Sequence, residues 1–193
     1  MDFTCRTRAL SSLVRDIEKG KYNMHHRLQR KEGQWSKQQA SELIDSLLRS
    51  YPIDPIRCEK GADDILYIFD GVQRSTSIYN FITNPKFKLA KNLNPVVIDG
   101  EPYDLAGLSF NNLMDPVREK LLASEIQVYV FTDCTDNDIR EMYRRQNNGK
   151  AMTNTQKRTA IESTTVSQYI FSLANSEFFT KVLSKKQLIR DTQ

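Results

Sequence analysis

Asp70, Gly71, Gln73 and Arg74 fall within FDGVQRSTSIYNFI, residues 69–82, where an acid, a glycine, an amide and a guanidinium stand between a short apolar run and an amphipathic segment. A strand that ends in Asp-Gly and opens a helix leaves unpaired N–H groups and a positive dipole end, to which an arginine adds a fork sized for phosphate. Such a place binds anions. The aspartate would repel a bare phosphate, and it fits there if it holds a magnesium ion, caps the helix or orients an arginine. A plain helix cap with an exposed arginine satisfies the same spacing. Three further polar clusters sit at element boundaries: Arg27, Gln29, Arg30 and Lys31 leaving a strand, Arg144, Arg145, Asn147 and Gly149 closing a helix, and Thr153, Gln156 and Arg158 opening one.

Several chemistries are excluded by what is missing. His25 and His26 are the only histidines, and neighbours in a strand face opposite ways, so they do not jointly ligate a metal. A His-Asn-His nuclease centre has no source. The sequence contains no GxSxG, no HExxH and no G-x-x-x-x-G-K-[ST] loop, which removes the common serine hydrolase, zincin and Walker-type NTPase signatures. Trp35 reads as a core or lid residue, with base stacking left open by its basic neighbours.

The elements that must position these clusters are legible from periodicity. Leu10, Leu13, Val14 and Ile17 recur at helical spacing and Gly20 stops them, which predicts a helix over 9–19. YNMHHRL is strand-like, and a basic loop follows it. Ser36 and Gln39 form a capping box ahead of an apolar face at Leu43, Ile44, Leu47 and Leu48. PIRCEKGADDILYIF predicts a hairpin turning near Gly61, and Ile78, Phe81 and Ile82 a helix that runs to Asn84-Pro85. Short strands and turns fill 86–108, with Asp99-Gly100 the clearest turn. Asp115 and Pro116 read as the N-cap and first residue of another helix, SEIQVYVF as a half-buried strand, and Asp136 as the cap of a helix ended by Gly149. Helices and short strands interleave without a βαβ rhythm, so the fold class is α+β.

At 193 residues the chain suits one domain with a real core, or one domain plus a helical appendage. Residues 1–160 are expected to form the main domain and 161–193 a helical extension. KKQLIRDTQ ends in a polar helical pattern that fits either a trimmed chain or the front of a longer polypeptide. The first ten residues are polar, no apolar stretch reaches bilayer length, and the three cysteines form no CxxC pair. A cytoplasmic protein without membrane contact is expected. Net charge is +4, distributed unevenly: ten Lys/Arg against six Asp/Glu over 1–50, eight against fourteen over 51–139, and ten against four over 140–193. Basic ends brought together would form a phosphate-binding surface; solvated helix faces account for them equally well.

In order, LQRKEGQW, ASELIDSLLRSYPIDPI, YIFDGVQRSTSIYNFI and MYRRQNNGKAMTNTQKR resemble the N-terminal domain of GmrSD-type restriction endonucleases, a family marked by a DGQQR motif and related to the ParB/sulfiredoxin-like fold. The likeness covers about residues 9–160. It implies a mixed-sheet core with flanking helices and one pocket. Gln29 and Arg30 match the family's Q-R pair, Asp70, Gly71, Gln73 and Arg74 its DGQQR motif, and Tyr143, Arg145, Asn147 and Gly149 its F-x-R-x-N-x-G pattern. Relatives are implicated in nucleotide binding and hydrolysis and in sensing DNA, in defence against phage or modified DNA. Val72 replaces the motif's first glutamine and Gln156 a common glutamate, which leaves hydrolysis less secure than binding.

The resemblance implies a nucleotide-binding, NTP-hydrolysing regulatory domain. Arg30, Arg74 and Arg145 would hold phosphate, Asp70 a magnesium ion or water, and Gln73 and Asn147 phosphate, sugar or base, with Gln29, Gly71 and Gly149 completing the wall. Asp70, Gln73 and Arg74 would carry any catalysis. A non-catalytic DNA module is the second reading, resting on Arg27, Lys31, Arg144, Lys150 and Arg158. A degenerate protein-interaction domain is the third. The expected ligands are Mg2+ and a nucleoside triphosphate; the expected partners are DNA and a nuclease domain or subunit.

Overall fold

The computed structural model describes residues 1–26 and 35–146, apart from the side chains of 143, 144 and 146. The chain divides into two compact units, Met1–Glu141 and Met142–Gln193. The first is built on a mixed sheet of β1 (Asp2–Ala9), β2 (Tyr22–Asn23), β3 (Ile56–Lys60), β4 (Leu66–Asp70) and β7 (Glu125–Thr132), in the order β1-β7-β3-β4-β2. β5 (Val96–Ile98) and β6 (Glu101–Tyr103) form a separate hairpin, whose turn places Asp99 and Gly100 at φ 52° and 87°, as an Asp-Gly turn allows. With α1 (Leu10–Glu18), α2 (Lys37–Leu48), α3 (Val72–Thr83), α4 (Asp115–Ala123) and α5 (Asp136–Gln146), the described residues are of the α+β class.

Alternation in the strands explains the core. Ile126, Val128 and Val130 of β7, Ile56 and Cys58 of β3, and Leu66 and Ile68 of β4 are buried in one cluster with Leu10, Leu13, Ile44, Leu47, Ile78 and Phe81 from the helices. Each such side chain contributes roughly 1.5–3 kcal/mol by leaving water. α1 and α2 both pack against α3 and α4. Local chemistry ends the helices where the sequence says it should. Gly20, at φ 72°, donates its N–H to Ile17 O at 2.9 Å and Lys21 donates to Asp16 O at 3.0 Å, closing α1 with a left-handed cap. Ser36 accepts from the Gln39 N–H at 3.2 Å and donates its own N–H to Gln39 Oε1 at 3.0 Å, the complete box.

Two caps fall one residue earlier than expected. Met114, not Asp115, caps α4: its backbone is extended, and its carbonyl accepts from Val117 at 3.0 Å and Arg118 at 3.1 Å. Asp115 lies inside the first turn, where it pairs with Arg118. Thr135, rather than Asp136, holds the start of α5. Its hydroxyl accepts from the Asp138 N–H at 3.2 Å, while Asp138 Oδ2 accepts from the Thr135 N–H at 2.9 Å. β1 was not anticipated, because residues 2–7 are exposed and offer no buried alternation. The strand-like run after Tyr22 is β-paired only at Tyr22–Asn23 within the described residues, and the Gly149 stop, the 153–158 cluster and residues 161–193 lie outside them.

Candidate functional site

The β3–β4 hairpin turns at Gly61–Ile65, where Gly61 donates to Ile65 O at 2.8 Å. From Lys60 opposite Leu66 to Cys58 opposite Ile68 the register is regular, but Arg57 then lies opposite Asp70. One extra β4 residue has entered the ladder. A bulge of this kind re-aims the side chains beyond it. Without it Asp70 would share the face of Ile68, in the core; with it, the carboxylate meets the first polar side chain of β3.

Gly71 follows at φ 90° and is the N-cap of α3. A Cβ there would stand 3.1 Å from Arg74 Nη2 and 3.2 Å from the Ile56 Cα, so glycine is required both by the left-handed backbone and by the space. Ser75 donates both its N–H, at 2.9 Å, and its hydroxyl, at 3.1 Å, to the Gly71 carbonyl, which locks the first turn. That turn brings Arg74 back over Asp70.

Asp70 Oδ2 accepts hydrogen bonds from Arg57 Nη1 and, at 3.3 Å, from Arg74 Nη2. The same Arg74 nitrogen donates to Pro55 O at 3.1 Å, and Arg74 Nε is buried without a partner among the described residues. The Arg57 guanidinium lies 5.8 Å from the centre of the Tyr129 ring, its neighbour across β7, close enough for cation–π attraction. Side-chain exposures of 17% for Arg57, 15% for Arg74 and 29% for Asp70 make this a half-desolvated cluster with one more cation than anion. The second carboxylate oxygen makes no hydrogen bond among the described residues. Gln73 Oε1 accepts from the Trp35 N–H at 3.1 Å, tying the start of α3 to the start of α2. Beside them lies an open cleft of about 350 Å³ lined by Trp35, Gln39, Glu42, Asp54 and Arg74 among others.

The model of the GmrSD restriction endonuclease N-terminal domain matches residues 10–187. The chain belongs to that family. No curated protein and no solved structure matches it. Membership in the GmrSD N-terminal family ties the chain to restriction and phage defence. The match reaches past the stretch 9–160 over which the sequence motifs carry the resemblance.

Of the GmrSD motif residues, the structure brings together Asp70, Gly71, Gln73 and Arg74. Arg145 is exposed and belongs to the second compact unit. Arg27, Gln29, Arg30, Lys31, Asn147, Gly149, Lys150, Arg158 and the Arg144 side chain lie outside the described residues. Val72, where the family motif has glutamine, packs half-buried against the core. Arg57, Tyr129 and the Trp35 backbone are neighbours the sequence did not announce. Arg57 was placed on a predicted strand, and only the bulge aims it at Asp70.

Asp70 does not cap α3, since no side chain bonds the free N–H groups of its first turn. Among the described residues no group of three His, Cys, Asp or Glu could hold a metal ion. His25 is exposed, whereas His26 is buried and bonded to Glu59 at 2.8 Å, although the two lie just past the end of β2 and not in a strand. No helix among the described residues is long and apolar enough to cross a membrane.

Proposed function

We propose that this domain binds a nucleoside triphosphate with Mg2+ at the Asp70–Arg74 corner and serves as the regulatory, NTP-hydrolysing and DNA-sensing part of a restriction system that acts with a nuclease domain or subunit. One observation carries the reading: Arg57 and Arg74 converge on a single oxygen of Asp70 at the glycine-capped start of α3. The surplus cation and the free N–H groups of that turn favour phosphate. The unbonded Asp70 oxygen is available to a magnesium ion that brings its own water and phosphate ligands. Arg74 and Arg57 would neutralise phosphate oxygens and Gln73 would hold a water or a phosphate oxygen.

Thermal-shift scans of the whole chain with each NTP, with and without Mg2+, test binding, because a ligand of the native state raises Tm by linkage. A Mg2+-dependent rise with at least one NTP, lost in Arg74→Ala, is expected; flat responses to all four would remove the reading. Phosphate release assayed in parallel tests turnover.

A second reading has its own observation. Asp70 Oδ2 is already neutralised by two arginines, as in a corner kept for structure by a domain that binds DNA or a nuclease without catalysis. Asp70→Ala separates the two: it abolishes a metal-assisted nucleotide site, and leaves or strengthens DNA binding that falls steeply with salt.

A further inference from the structure

The two ends of the main sheet differ. At one, β2 has two residues, Tyr22 and Asn23, and leaves little backbone to pair. At the other, β1 runs eight residues, pairs with β7 without a bulge from Asp2–Thr132 to Ala9–Glu125, and ends the strand order among the described residues. Every second N–H and C=O of β1 therefore points away from β7, and residues 2–7 are exposed. Long, regular edges are what proteins commonly blunt with proline, bulges or covering loops. β1 has no proline and no irregularity.

We propose that this edge pairs antiparallel with β1 of a second copy of the chain, in a register centred on Cys5. Two antiparallel strands of one continuous sheet are related by a two-fold axis normal to it, so opposed residues lie on the same face. Centred on Cys5, the pairing sets Asp2 against Arg8 of the second copy, Phe3 against Thr7, Thr4 against Arg6, and Cys5 against Cys5. Both ends of the ladder then carry an Asp–Arg pair. Thr4 and Thr7 meet the remaining side chains without conflict. A register centred on Arg6 would oppose two arginines, and one centred on Thr4 would leave the end of β1 unpaired.

Arg8 turns outward to make this contact: its side chain is 35% exposed with Nε buried, its ion pair with Asp16 is long, at 4.0 Å, and Asp16 keeps Lys21 at 3.0 Å when Arg8 leaves. The face carrying Phe3 continues an aromatic row, with Phe3 stacked at 5.6 Å on Phe131 and tilted at 5.7 Å against Tyr129. In this register Thr7 of the second copy lies beside Phe3 on that face. One strand per protomer buries less than the roughly 1,200–2,000 Å² of stable interfaces, so the dimer is weak and concentration-dependent.

The chain has three cysteines, of which Cys58 is buried. In a Cys134→Ser background, mild oxidation with copper–phenanthroline reports on Cys5. A disulfide-linked dimer on a non-reducing gel is expected, absent in Cys5→Ala. Sedimentation velocity on the reduced chain should show a dimer that Cys5→Ala retains and that Asp2→Arg weakens about ten-fold, as two opposite-charge pairs become like-charge pairs. Circular dichroism of Asp2→Arg should match the parent, so that the loss reports on association and not on folding. A monomer up to the solubility limit would overturn the proposal, as would a dimer indifferent to Asp2→Arg or one in which Cys5 never links. None of these outcomes depends on nucleotide binding.

Discussion

The Asp70 corner and the β1 edge lie in the same sheet and are built on opposite terms. At the corner, two guanidiniums converge on one carboxylate oxygen and one of them also bonds the backbone, around a bulge and a left-handed glycine that hold them in place. At the edge residues 2–7 are exposed, and among the described residues β1 has no strand beside it but β7. Order has therefore been built where polar groups are half-desolvated, because an unpaired charge there costs several kcal/mol, whereas exposed edge groups lose nothing to water. A ligand at the corner must fit what exists; a partner at the edge supplies what is missing.

Asp70→Ala should break this contrast most severely. It leaves two guanidiniums facing each other at the corner, and a loss of about 2–3 kcal/mol is expected by urea unfolding, discounted from fully buried pairs for the partial exposure. Arg57→Ala and Arg74→Ala, each combined with Asp70→Ala in a double-mutant cycle, would divide the loss between the two arginines. Gly71→Ala comes next, at about 1–3 kcal/mol, from a strained φ and the 3.2 Å approach to the Ile56 Cα. It should also displace Arg74 and lower nucleotide affinity, without touching association through β1.

Ser36→Ala should cost about 1 kcal/mol through the lost capping box. Because Trp35 donates to Gln73, the same change should loosen the corner, seen as faster amide exchange at Trp35. Acid tests the far end of the hairpin. Asp63 accepts from the Tyr67 hydroxyl and the Ile65 N–H, which hold its carboxyl below the usual range. With a folded pKa below the unfolded one, this stabilisation is complete above about pH 4 and is lost as pH falls through the folded value. Asp63→Asn should flatten that part of a stability–pH profile and leave β1 unaffected. The smallest effect belongs to Phe3→Ser, within about 0.5 kcal/mol for the monomer, since the residue stays 58% exposed beside the rings of Phe131 and Tyr129.

Periodicity made much of the scaffold legible. The α1 stripe, the Ser36–Gln39 box, the Gly61 hairpin, the helix from Val72 to Thr83 and the Asp99-Gly100 turn all answer to rules acting over a few residues. β1 was hidden for the converse reason: a strand exposed on both faces has no apolar alternation to display. Met114 and Thr135 displaced the expected caps because a cap is decided by which backbone turns extended, and an acid can serve equally from inside the first turn.

By itself the sequence determined the α+β class, the GmrSD family and the presence of a polar Asp-Gly-x-Gln-Arg turn between a strand and a helix. Only the tertiary structure decided that Asp70 faces Arg57. That meeting depends on one surplus residue in β4 and on the parallel pairing of β3 with β7, which sets Tyr129 beneath the guanidinium. Register between strands far apart in the chain is fixed by the packing of the whole sheet, and no local pattern encodes it.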